Sequence, residues 1–108
     1  MTSQTDTLLE RIVDTIVAEV RPEKVVLFGS RARGDALEDS DYDFLVIVRG
    51  EVDERACSRT IHRALFAARI PAAVDIVVVN ARELPRRRKR VYDVSRWALD
   101  EGRVVHGA

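Results

Sequence analysis

Three short runs rich in β-branched residues set the frame for this chain: Lys24 to Phe28, Tyr42 to Val48 and Ala73 to Val79. Each is bounded by proline, glycine or polar residues, with Pro22 and Gly29 around the first and Pro71 before the third. That is the pattern of buried strands. Between the first two lies GSRARGDALEDSDYD, in which a glycine-serine turn leaves one strand and two aspartates, Asp41 and Asp43, open the next. A chain built this way must form a sheet with Gly29-Ser30 and the aspartate pair at its ends.

Helical spacing accounts for most of the remainder. Leu8, Leu9, Ile12, Val13, Ile16, Val17 and Val20 fall on one stripe, with Glu10, Arg11, Asp14 and Glu19 elsewhere, so this segment should pack on the sheet. Thr7 and Glu10 have the spacing of a capping box, and Pro22 stops the helix. Arg31 to Ala36 reads as a short helical turn and Leu37 to Ser40 as a polar loop. Asp53 to Arg69 reads as a helix with Ala56, Thr60, Ile61, Ala64, Leu65 and Ala68 inward. Arg82 to Glu101 reads as a helix broken or begun near Pro85, with Val91, Val94, Trp97 and Ala98 inward. Gly102 ends it, and Arg103 to His106 can add a short edge strand. The expectation is one domain over residues 1–108, of α/β (α+β) class: a small mixed sheet with helices packed mainly on one side.

Composition narrows the function classes. With 46% apolar and 33% charged residues the chain is that of a folded globular domain. Its formal charge is zero, which argues against general nucleic-acid affinity, so nucleic acid is not an expected ligand except through a partner. The charge is segregated, however. Asp35 to Glu54 carries eight acids against Arg49, and Arg82 to Arg90 carries six bases against Glu83. The first region suits metal ions, the second an anionic ligand or partner. No run approaches a membrane span, and the polar start MTSQTDT lacks the features of a signal peptide, so the cytoplasm is the expected location. The single cysteine, Cys57, has no Cys or His neighbour suggesting zinc and reads as a packing residue.

The chemistry is concentrated in four positions and their neighbours. Residues two apart on a strand share a face at about 6.6 Å spacing, so Asp41 and Asp43 project together and invite a cation between them. Carboxylate oxygens suit Mg²⁺ or Mn²⁺, and a pair of such ions can serve both the attacking and leaving oxygens of a phosphoryl displacement. Asp75, an acid inside AVDIVVV, is the candidate third ligand. Gly29 permits close backbone approach, and Ser30 can bond a phosphate oxygen at the start of the following turn. Arg31 and Arg33 serve either as phosphate contacts or as surface ion pairs. The stretch is not a Walker loop, which ends in GK[ST]. Gly-Ser, ten spacers and Asp-x-Asp together arise by chance in about one chain of this length in a thousand.

GSRARG followed by SDYDFLVIV resembles the DNA polymerase beta-like nucleotidyltransferase superfamily, and the short chain looks like its minimal nucleotidyltransferase branch. The resemblance implies the nucleotidyltransferase fold. It also implies transfer of AMP from ATP to a hydroxyl, with Asp41, Asp43 and Asp75 holding two Mg²⁺ ions and Gly29 and Ser30 positioning the triphosphate. Asp75 would in addition help to activate the nucleophile. Members of this size commonly act as antitoxins to a HEPN-family ribonuclease toxin, some by adenylylating a toxin tyrosine. A cognate HEPN toxin is therefore the expected partner. Two other functions stay open: an antitoxin that neutralises by binding alone, and a catalytic subunit acting on a small molecule such as an aminoglycoside.

Other residues have plainer readings. Asp39 is loop charge, Ser40 caps the turn before the strand, and His62 and His106 are surface or helix-end histidines. Arg86 to Arg90 is either a solvated face or a dock for an acidic partner or RNA. Tyr92 and Trp97 read as packing, unless Trp97 is exposed and marks an interface.

Overall fold

The structure, a computed structural model, describes residues 4–37, 39–88 and 94–107. Helix α1 (Gln4–Val20) leads into strand β1 (Lys24–Phe28), a single-turn helix α2 (Ser30–Arg33) and strand β2 (Tyr42–Val48). Helix α3 (Glu54–Ala67) crosses over to β3 (Val74–Asn80). A 3₁₀ turn at Ala81–Glu83 runs into α4 (Leu84–Arg88), and α5 (Val94–Glu101) and β4 (Arg103–His106) close the described chain. Among the described residues no helix is long and apolar enough to cross a membrane.

The four strands form one mixed sheet in the order β3-β2-β1-β4. β1 pairs antiparallel with β2 on one side and β4 on the other, while β2 and β3 are parallel. Parallel pairing needs a long crossover, and α3 supplies it. Strand alternation then divides the apolar residues between two cores. Tyr42, Phe44, Val46 and Val48 join Ile12, Ile16 and Ile61 beneath the two long helices. Leu45 and Ile47 join Val26, Val79 and Ala98 under α5. The long helices thus lie on one face, and α4 and α5 on the other.

Local sequence explains most element ends. Arg21 and Arg69 take left-handed conformations, with φ 46° and 55°, just beyond the two long helices and shortly before Pro22 and Pro71. The Asp53 side chain caps α3 by accepting from the backbone N–H groups of Arg55 and Ala56. Thr7 does not cap α1, because the helix already runs from Gln4 and leaves Thr7 within it. The inward face of α3 is also rotated from the expected one. Cys57, Ile61 and Leu65 are buried and Thr60 and Ala68 are exposed, because successive steps of four aim the buried stripe at the sheet. Cys57 is a buried free thiol, as its packing role requires. The helix expected over Arg82 to Glu101 is divided into a 3₁₀ turn, α4 and α5. Ala98 is fully buried. Val91, Tyr92 and the side chains of Val94 and Trp97 lie outside what is described. Gly102 follows α5 where the backbone meets Val26 and Leu27 of β1, leaving no room for a Cβ.

Candidate functional site

The sheet order brings together residues that are distant in sequence. Strand alternation puts Asp43 on the face of Leu45 and Ile47, away from the main core. The β1–β2 register sets Asp43 opposite Phe28, the residue before Gly29, and the β2–β3 register sets it opposite Asp75. Parallel partners project side by side, so Asp43 and Asp75 share one patch, and their side chains are hydrogen-bonded to each other. Asp41 stands just before β2, exposed, and acts on Asp43 through its charge.

Gly29 closes the patch from the other side. Its φ of 75° and ψ of −157° belong to a region essentially reserved for glycine. A Cβ at this position would also collide with the Asp43 carboxylate. Both the turn and the close approach therefore demand glycine. Ser30 opens α2, whose single turn is held by bonds from Ala32 and Arg33 N–H to the Gly29 carbonyl and from Gly34 N–H to the Ser30 carbonyl. The phosphate-type turn and the acid pair are consequently in contact.

The electrostatics follow from that crowding. Burial, the hydrogen bond to Asp75 and the charges of Asp75 and Asp41 raise the Asp43 carboxyl from 3.8 to about 6, while Arg33 pulls it the other way. Arg33 is too little positive charge to balance the acids, since the net shift of Asp43 is upward.

The two arginines separate. Arg31 donates from Nε and an Nη to the Ser40 carbonyl at 3.3 and 2.9 Å and lies 4.3 Å from the centroid of the buried Tyr42 ring. Tyr42 faces the main core, opposite Asp43, and there Arg31 fastens the loop to the sheet. Arg33 senses Asp43 and makes an exposed 3.4 Å ion pair with Asp35. Ser40 Oγ accepts from Leu37 N–H at 2.8 Å, the turn-capping role its sequence indicated. His62 is exposed on α3 and His106 ends β4, both away from the acids in the chain. In the basic run, Arg86 is exposed and 3.9 Å from Glu83, while Lys89 and Arg90 lie outside the described residues.

Two supporting residues carried no sequence signal. Tyr42 reads as one more strand residue, yet its ring is what Arg31 covers. Asn80 ends β3 and ties down the loop before α3: its side chain accepts from Val52 N–H and donates to the Val52 carbonyl and Glu54 Oε2. Only the parallel register makes these partners neighbours.

Among the described residues no three His, Cys, Asp or Glu side chains form a ready-made cage for a metal ion. The acid patch nevertheless fits a hard divalent cation in its chemistry. Its donors are all carboxylate oxygens, and Asp43 is pushed up first by burial and then by the neighbouring Asp75 and Asp41, whose charge Arg33 offsets only in part and a cation would offset further.

A family model described as a nucleotidyltransferase domain matches residues 9–105. A Methanocaldococcus jannaschii protein proposed to be a protein adenylyltransferase is 35% identical over 86 residues, covering 80% of each chain. Among solved structures, a Sulfolobus solfataricus protein proposed to be a nucleotidyltransferase is 32% identical with a TM-score of 0.56, over 81% of this chain and 73% of that one. A chain of a toxin–antitoxin crystal structure with AMP-PNP is 21% identical with a TM-score of 0.63, over 92% of this chain and 73% of its own. This last likeness is one of fold.

Proposed function

The chain belongs to the nucleotidyltransferase domain family and is a nucleotidyltransferase, and from that premise we propose that it is of the minimal type and transfers AMP from ATP to a hydroxyl of a protein, acting as the antitoxin of a toxin of the HEPN class. The observation that carries the reading is the contact among Gly29, Asp43 and Asp75, which joins a triphosphate-holding turn to an acid pair. The relative proposed to adenylylate protein and the toxin–antitoxin neighbour support the acceptor and the partner.

In this reading Gly29 and Ser30 hold the triphosphate, with Arg33 offsetting its charge, while Arg31 keeps the loop in place. Asp41, Asp43 and Asp75 would hold one or two Mg²⁺ ions, and Mn²⁺ has the same ligand preference. Bound there, the ions supply charge neutralisation and polarisation of the phosphoryl oxygens. Asp75, exposed and bonded to Asp43, accepts the proton of the acceptor hydroxyl as its oxygen attacks the α-phosphorus. The bond from that phosphorus to the bridging oxygen breaks and pyrophosphate leaves. Holding the reactants in line and stabilising developing charge are the main contributions such a site can make. Asp41 and Asp75 are both exposed, so the acceptor side is open, as a macromolecular acceptor requires.

The test is to incubate the chain with α-labelled ATP, Mg²⁺ and the product of the neighbouring gene. Label should appear on that product and vanish with Asp41→Asn or Asp43→Asn. If neutralisation of the partner is instead unaffected by both changes, catalysis is not the mechanism and binding alone is. Labelling of an aminoglycoside in place of the protein would point to a small-molecule acceptor.

A further inference from the structure

We propose that the exposed face of α3, with the groove between it and the edge strand β3, docks an acidic segment of the protein acceptor that presents one apolar side chain. The inference rests on the protein-acceptor reading above. Arg55, Arg59, His62, Arg63 and Phe66 follow one another at steps of one, three or four residues and are all exposed, so they share the outer side of the helix. The buried stripe Cys57, Ile61 and Leu65 lies away from them. Arg55, Arg59 and Arg63 stand four apart, a like-charge arrangement that disfavours the helix. Among the described residues none of these three side chains is in an ion pair. Among the described residues no acidic side chain is paired with this row of charge.

Phe66 stands beside the row with 87% of its surface exposed, the largest exposure among the large apolar residues whose burial is described. Together with His62, Leu65, Ile70, Ala72 and Val74 it lines a groove of about 180 Å³. A cavity of about 150 Å³ with such a lining takes up benzene, so the groove can seat one aliphatic or aromatic side chain. Apolar seat and unpaired arginines together select an acidic protein segment over a nucleic acid, whose phosphates would leave the groove empty. An exposed aromatic next to arginines is also the composition of an interface hot spot.

The position of the groove gives it a use. Val74 lines it, and the next residue is Asp75. Consecutive strand residues project to opposite faces, and β3 is an edge strand. A segment seated at Val74 therefore needs only to pass around the sheet edge to bring a hydroxyl to the acid patch. Docking on one face would hold the acceptor for transfer on the other.

The test uses the full chain, without ATP or metal, and a fluorescent helical peptide of Leu and Glu at three-four spacing. Controls are polyglutamate of equal charge and oligouridylate. The Leu-Glu peptide should bind and shift the amide resonances of α3 and of Ile70 to Val74. Its affinity should fall at least tenfold in Phe66→Ser and in the pair Arg59→Glu, Arg63→Glu, with melting curves confirming that the variants fold. Binding elsewhere or not at all overturns the proposal. So does equal binding of polyglutamate, which dispenses with the groove, or tighter binding of oligouridylate, which makes this a nucleic-acid face. In transfer assays the same variants should raise the KM for the protein acceptor and leave ATP binding unchanged. Peptide binding at α3 without any transfer by the unaltered protein would uphold the dock and refute the transfer reading instead.

Discussion

Replacing Asp43 by Asn should stabilise the metal-free protein above pH 6 while abolishing its activity. In the fold, burial and the neighbouring Asp75 and Asp41 raise the Asp43 carboxyl from 3.8 to about 6. Because the folded value is the higher one, the fold favours the protonated form. Stability from this group is therefore complete below about pH 4 and is lost as pH rises through 6. At about 1.4 kcal/mol per pH unit the loss is about 3 kcal/mol, and screening at this partly exposed site reduces it to about 1–2 kcal/mol. Asn keeps a donor for Asp75 without the charge. The variant and the unaltered protein should thus be equally stable at pH 3.5, and the variant should gain about 1–2 kcal/mol by pH 7.5. For a domain of this size that is a rise in Tm of roughly 4–15 °C. Thermal melts from pH 3.5 to 8, read as the difference between the two proteins, isolate Asp43 from the other carboxylates. Added Mg²⁺ should raise the Tm of the unaltered protein at pH 7.5 and leave that of Asp43→Asn nearly unmoved. A difference in stability that does not change with pH, or that favours the unaltered protein at pH 7.5 without metal, would refute the view that the acid patch is short of positive charge.

Gly29→Ala should cost about 1–3 kcal/mol, since it forces an alanine to φ 75° against the Asp43 carboxylate, and should abolish ATP binding. In an Asp43→Ala background part of that cost should disappear, which a double-mutant cycle in urea would measure. Arg31→Ala should lower stability by about 1–2 kcal/mol by uncovering Tyr42 and releasing Ser40, with the KM for ATP little changed. Arg33→Ala should leave stability within about 0.5 kcal/mol at acid pH, yet weaken ATP binding and move the Asp43 carboxyl further up, as read by carboxyl NMR titration. Asn80→Ala should cost about 1–2 kcal/mol in chemical denaturation through the lost bonds to Val52 and Glu54.

Much of the framework was readable in the chain. Strands β1 and β2 fall where their β-branched runs end, because proline, glycine and charged residues limit those runs sharply. Helix ends were read less well. The Thr7 cap failed since α1 extends to Gln4, and Thr60 proved exposed since the apolar positions of α3 leave its rotation open by one residue. The acids were found individually, by a spacing that projects Asp41 and Asp43 together and by the oddity of Asp75 in an apolar run.

The division between the two sources of information has a physical basis. Periodicity and turn chemistry are local, so the sequence alone determined which segments are strands and helices, that a glycine turn follows β1, and which residues can carry charge at the strand ends. Register and strand order depend on packing between distant segments, and only the tertiary structure decided them. Because β3 lies parallel to β2, Asp75 stands beside Asp43. Because β1 lies antiparallel on the other side, Gly29 rests against the same carboxylate. The same geometry turned Arg31 to Tyr42 and left Arg33 near the acids, a distinction that two arginines one residue apart cannot express in sequence.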